Sequence, residues 1–328
     1  MASYIAAAEM NDGAWARAIV PMVNVSFEGT EPIELMPGVT MRTRTWEDIA
    51  VFVHQSGRSL ENIDFSALAN ERVDLEIRLP LNVGESTRLD YRAYETAFAK
   101  IVDDVMARFR WAAMLALDTQ SVILEGMTRM QTFGTSWGGQ PLRRQTLGYL
   151  WPGIPAISEA AATEMARLLT SLRLAEAKFD ADIYDAVWMF GRASLAAHPR
   201  DSLLEAAIGI ERIVVGGSGE NARRFRTHGA ALLGDATLEG RLKALYNSRS
   251  KVAHEGNAKS DLSDAASEAR HLLARCIDRA VAWTEFGLID SVPPGKVKLS
   301  VAIEQFLLQM LCTSVADELA ARRAARLA

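Results

Sequence analysis

An arginine and a histidine five positions apart, Arg249 and His254, mark the stretch Leu245-Tyr-Asn-Ser-Arg-Ser-Lys-Val-Ala-His-Glu-Gly256. An always-charged guanidinium can grip a phosphate through two N–H groups and stabilise charge building on its oxygens. An imidazole titrating near neutrality can take the proton of a ribose 2′-hydroxyl or give one to the leaving 5′-oxygen. That pairing suits RNA cleavage, and it requires no metal and no other cofactor. Asn247, Ser250 and Lys251 lie beside the pair and are candidate substrate contacts. On a continuous α-helix five steps of about 100° leave the two side chains roughly 140° apart. Convergence needs the helix to loosen near His254, which Glu255-Gly256-Asn257 favours. His254 also has a plainer reading, because a histidine at a helix C-terminus is favoured by the macrodipole alone.

The whole chain is acidic, with a formal net charge of −5, which gives no support to a protein that coats nucleic acid. The distribution is more informative. From Arg212 to Lys251 eight basic residues (Arg212, Arg223, Arg224, Arg226, Arg241, Lys243, Arg249, Lys251) face three acids (Glu220, Asp235, Glu239), an excess of five positive charges. An acidic body with one basic segment fits a local phosphate-binding face, with Arg223, Arg224 and Arg226 as further substrate contacts. Chance excess on charged helices explains the count about equally well.

The elements that must position these residues follow from length and periodicity. At 328 residues the chain suggests about two domains, and 49% apolar with 23% charged residues is ordinary for a globular protein. No window approaches the 18 or so apolar residues of a membrane helix, so no membrane partner is expected. The start, Met1 to Met10, lacks a basic stretch ahead of an apolar core, so no secretory signal is expected. Two cysteines, Cys276 and Cys312, without C-x-x-C spacing argue against a disulfide scaffold or zinc knuckle, and a cytoplasmic location is the simplest expectation.

Residues 18–44 carry short β-branched runs broken by turn residues, and Val73-Asp-Leu-Glu-Ile-Arg-Leu79 alternates with period two, both strand signatures. Tyr91 to Leu117 reads as a helix, with Phe98, Ile101, Val102, Val105, Met106, Phe109 and Ala112 in register. Strand texture returns at Ser121–Glu125 and Met127–Phe133. These elements predict an α+β N-terminal domain over residues 1–155. Beyond it helices dominate: Ser158 to Leu174, Phe179 to Ala197, a helix opened by a Ser202-Leu-Leu-Glu205 capping box and closed by Gly216-Gly217, Ala222 to Leu233, Thr237 to Ala253, and Leu262 to Trp283. They predict an all-α bundle over residues 156–290, with a linker and a terminal helix, Val301 to Leu327, in residues 291–328.

The stretch around Arg249 resembles the HEPN superfamily, in particular its Apea-like branch of bacterial antiphage and toxin ribonucleases. The resemblance rests on Arg249-Ser-Lys-Val-Ala-His254 as an Arg-x4-6-His motif. It also rests on Ala207-Ile-Gly-Ile-Glu-Arg-Ile213, on Arg226-Thr-His-Gly-Ala-Ala-Leu-Leu-Gly234, and on the Leu245-Tyr-Asn-Ser-Arg-Ser lead-in. It covers roughly residues 180–285. The resemblance implies a metal-independent endoribonuclease that leaves a 2′,3′-cyclic phosphate. It further implies a homodimer or larger assembly, in which two bundles pair so that both Arg/His sets line one groove. Arg249 would then hold the scissile phosphate and His254 move the proton. The family often has Asn, Asp or His after the arginine, where this chain has Ser250. The N-terminal domain would recognise a protein or phage-derived trigger. The alternative is a non-catalytic HEPN module that binds RNA, a nucleotide or a protein as a scaffold; a purely structural helical protein is the third reading.

Other residues invite weaker readings. Gly216-Gly-Ser-Gly219 has the glycine content of a phosphate loop but reads as a helix–helix turn. Asp180, Asp182 and Asp185 are expected to be a solvated helix start rather than a metal site. Gly134-Thr-Ser-Trp-Gly138 has G-x-S-x-G spacing, yet a glycine-rich turn is the expectation. His228 is expected to pack, and Trp137 and Trp151 to serve a core or interface rather than stack bases. His54, His198 and His271 show no partner spacing.

Overall fold

The computed structural model describes residues 15–23, 25–44, 73–80, 91–119, 124–125, 128–132, 135–140, 155–215, 219–255, 261–285 and 299–309. The chain divides into two compact units, Met1–Met106 with Ser121–Arg167, and Ala107–Gln120 with Leu168–Ala328.

The first unit is built on an antiparallel sheet. Strands β1 (Trp15–Val23), β3 (Ile33–Met36), β4 (Val39–Thr43), β5 (Val73–Pro80), β7 (Thr128–Thr132) and β8 (Thr135–Gln140) run in the order β3-β4-β5-β1-β7-β8, and β6 (Leu124–Glu125) also pairs with β1. A short parallel pair joins β2 (Ser26–Phe27) to β9 (Ala156–Ile157). Register puts Leu75 opposite both Met41 and Val20, so one face collects Val20, Met22, Met41, Val73, Leu75 and Ile77, all buried.

The opposite face carries the charges that the period-two pattern placed there, but Asp74 and Glu76 are buried rather than solvated. Buried carboxylates need compensation. Glu76 receives Arg17 at 2.7 Å, Arg42 at 3.3 Å and Arg78 at 2.6 Å, while Arg44 donates to Asp74 at 3.0 Å. Ser136 of the G-x-S-x-G stretch lies in β8 opposite Gln131 of β7. The expected glycine-rich turn is therefore corrected to a paired strand over residues 135–140.

Helix α1 (Tyr91–Ala116) follows the predicted seam, with Val102, Val105, Met106, Phe109 and Ala112 buried and Ile101 left exposed. Its C-terminal half belongs to the helical unit, where the Trp111 indole N–H donates to the Ala274 carbonyl at 3.1 Å. The predicted division at residue 155 differs from this one, because residues 107–120 join the helices and residues 156–167 join the sheet.

Helix α2 (Glu159–Leu195) contains the two helices expected over 158–197, run together across a kink. The break between them is a single non-helical residue, Phe179, at φ −131° and ψ 50°. Helix α3 (Pro199–Val214) begins three residues before the predicted capping box, since a proline at the first position forgoes only an N–H that has no partner anyway. Ser202 is therefore inside the helix and buried. Its hydroxyl donates to the Ala193 carbonyl and accepts from Arg270, each at 2.8 Å. Glu205, the other half of the expected box, pairs with Arg192.

Helix α4 (Asn221–Leu233) stops at Gly234, whose left-handed φ of +68° lets its N–H reach back to the Ala230 and Ala231 carbonyls. Helix α5 (Leu238–Glu255) is preceded by Asp235, which accepts the Thr237 N–H and hydroxyl. Asp261 does the same for Ser263 at the head of α6 (Ser263–Glu285). Helix α7 (Leu299–Gln309) starts where the Leu299 N–H meets the Asp182 carboxylate at 2.6 Å. The linker expected at 291–296, the Gly216-Gly217 stop and the end of the predicted terminal helix lie outside the described residues.

Close packing of α3 on α6 depends on Gly209, where a Cβ would stand 2.7 Å from a Leu273 methyl. Between α4 and α5 the Phe225 and Tyr246 rings meet with centroids 5.3 Å apart. The architecture is an α+β N-terminal region with a small antiparallel sheet, followed by helices.

Candidate functional site

Helix α5 carries Asn247, Arg249, Ser250, Lys251 and His254 on one element. Leu238, Leu242, Leu245 and Val252 form its buried side. The helix runs unbroken to Glu255, so the expected loosening before His254 does not occur. Arg249 and His254 therefore remain about 140° apart around the axis and about 7.5 Å apart along it. One chain does not bring them together on one side of the helix.

Arg249 faces the neighbouring helix. Its Nη2 donates to Glu211 of α3 at 3.0 Å, and its guanidinium lies 5.9 Å from the ring centroid of Tyr246, one turn earlier. The side chain is 25% exposed, and its Nε–H is buried without a hydrogen-bond partner. Burial pushes the Glu211 carboxyl above the ordinary glutamate range, against the pull of Arg249 and Arg212. The guanidinium is thus held by one contact and has donors to spare. Neither Glu211 nor Tyr246 stood out in the sequence. The only signal for Glu211 is a charge inside the apolar run Ile210 to Val214, at a position facing inward.

His254, Lys251 and Asn247 are exposed, and Ser250 is half-exposed. The arginines behave differently. Arg223 pairs with Glu220, Arg224 with Glu304, Arg226 with Glu239, Arg241 with Glu268 and Arg212 with Asp185. Four of the acids that meet segment arginines, Asp185, Glu211, Glu268 and Glu304, come from outside the segment. The linear excess of five charges is largely cancelled in three dimensions. Arg223, Arg224 and Arg226, expected as substrate contacts, are each engaged by a carboxylate.

The remaining candidates fall into structural roles. His228 Nδ1 lies 3.2 Å from the Val214 carbonyl at the end of α3. Asp182 caps α7 and Asp185 meets Arg212, so neither is simply solvated, as the helix-start reading had it. No group of three or more potential metal ligands occurs among the described residues. No helix among them is long and apolar enough to cross a membrane. His198 precedes α3 without a side-chain cap, and burial pushes His271 down, assisted by Arg275 and Arg241. Trp137 lies on β8; Trp151, His54 and most of Gly216–Gly219 lie outside the described residues. No protein-family model, curated protein or solved structure matches the chain.

Proposed function

We propose that the protein is a metal-independent endoribonuclease that acts as a pair of chains, in the manner implied by the resemblance to the Apea-like HEPN branch. Its setting on that reading is bacterial antiphage defence, with the sheet-bearing N-terminal region as the sensor of a trigger. The observation that carries the proposal is the Arg249 guanidinium, partly exposed and held by one carboxylate, Glu211, so that N–H groups remain for a phosphate.

In the reaction His254 takes the proton from the ribose 2′-hydroxyl, whose oxygen attacks phosphorus. The 5′-oxygen leaves and takes a proton from water, so the 5′-side product ends in a 2′,3′-cyclic phosphate and the 3′-side product begins with a 5′-hydroxyl. Arg249 stabilises the charge that builds on the non-bridging oxygens. Because the two groups diverge on one helix, the site has to take Arg249 from one chain and His254 from the other. Digestion of total RNA followed by detection of cyclic-phosphate ends tests this. Arg249→Ala and His254→Ala should each abolish the ends with circular dichroism unchanged; ends persisting in both variants refute it.

A second reading, a non-catalytic module binding RNA, a nucleotide or a protein partner, is favoured by the Glu211–Arg249 ion pair and by the pairing of Arg223, Arg224 and Arg226 with acids. It expects binding without cyclic-phosphate ends.

A further inference from the structure

We infer that the exposed side of α5, through Lys243, Asn247, Lys251 and His254, is a rail for the phosphate backbone of single-stranded RNA. This rests on the ribonuclease reading and names the surface that holds its substrate.

Helical arithmetic sets the rail apart from Arg249. Taking Lys243 as the origin, His254 lies at about 20°, Asn247 at about 40° and Lys251 at about 80°, whereas Arg249 lies at about 240°. Ser250, at about −20°, borders the same arc. All four rail residues are exposed, and the sequence from Lys243 to His254 contains no acid. Glu239, one turn before Lys243, is occupied by Arg226.

Charge pairing gives a second, independent contrast. Each of the six arginines between Arg212 and Lys251 meets a carboxylate. The two lysines meet none among the described residues. The positive charge left for a ligand is therefore concentrated on this one face.

The chemistry selects the occupant. Lys243 and Lys251 stand about 12 Å apart along the axis, far enough for the two ammonium groups to meet different phosphates of one strand. Asn247 and Ser250 add neutral donors between them. A membrane surface would need large apolar side chains beside the cations, and a protein partner an apolar centre. The arc offers only Gly240 and Ala244 in those places.

The test measures binding of the full chain to a short fluorescent single-stranded RNA across a salt series, alongside cyclic-phosphate assays and thermal melts. Lys243→Ala/Lys251→Ala should weaken binding about tenfold and make the slope of log K against log salt shallower by about 1.4, at unchanged melting temperature. Arg167→Ala, at a surface cation paired with Glu164, should bind as the parent does. RNA binding and cleavage that persist in the double variant overturn the rail and leave the ribonuclease reading standing. Binding that depends on the lysines without any cyclic-phosphate ends keeps the rail and overturns the nuclease. Loss of thermal stability with RNA affinity unchanged would make the lysines helix-end charges only, and a parent chain that binds anionic vesicles but no RNA would also overturn the rail.

Discussion

Arg249 of α5 and Glu211 of α3 meet at 3.0 Å, and the contact ties the helix carrying the Arg-x4-His motif to the bundle. The proposed catalytic cation is thereby fixed in place, yet only one of its donors is used in that contact. A phosphate arriving at Arg249 competes with a carboxylate that burial already makes reluctant to ionise.

Removing the cation strands that carboxylate. Arg249→Ala should lower unfolding free energy by about 1–3 kcal/mol in urea titrations. Adding Glu211→Gln should restore much of the loss, a coupling that a double-mutant cycle reads directly. Equal, additive losses would mean the two side chains do not interact.

Glu76 and Glu211 titrate in opposite senses. Burial opposes ionisation of Glu76, but Arg17 and Arg78 outweigh it and hold the carboxyl below the usual range. Its contribution is full above the ordinary glutamate pKa of 4.5 and is lost as pH falls through the lowered value. Glu211, raised, favours the folded state in acid and loses that contribution as pH climbs through its raised value. The fall in stability towards acid should therefore be smaller in Glu76→Gln, and the fall as pH climbs through the raised Glu211 titration should be missing in Glu211→Gln. Unchanged profiles would contradict both assignments.

Much of the helical region was legible because helical periodicity and end signals are local. Asn221–Leu233 with Gly234 as its stop, and the α1 seam, are read directly from spacing. Tertiary contacts moved the rest. Ser202-Leu-Leu-Glu205 has capping spacing, but Pro199 starts the helix earlier and the serine goes inward to Ala193 and Arg270. The period-two pattern puts Asp74 and Glu76 on one strand face, but nothing local announces that Arg17, Arg42 and Arg44 from other segments meet them there. At the site, the motif gave Arg249 and His254, but the partner Glu211 lies 38 positions away and no spacing rule connects them.

The buried Ser202 hydroxyl bridges three elements, α2, α3 and α6. Ser202→Ala removes the acceptor for Arg270, a guanidinium whose pKa burial already lowers. A loss of about 1–3 kcal/mol is expected by chemical denaturation, and a neutral result would show that Arg270 finds another acceptor.

Cys276 is buried in α6, and burial pushes its thiol up to about 12. In a Cys312→Ser background, a thiol reagent at mildly alkaline pH should label nothing in the folded protein and one group after denaturation. Rapid labelling of the folded chain would place α6 differently.

In the proposed site Arg249 and His254 act on one phosphate from two different chains. Mixing Arg249→Ala with His254→Ala protein, with the mass in solution measured alongside, tests it. Each variant alone should yield no cyclic-phosphate ends, while reassorted dimers should recover roughly one quarter of the parent activity, since half of the pairs hold one intact site of two. A mixture that forms dimers but stays inactive, with the parent active, would mean that the two residues do not act from different chains.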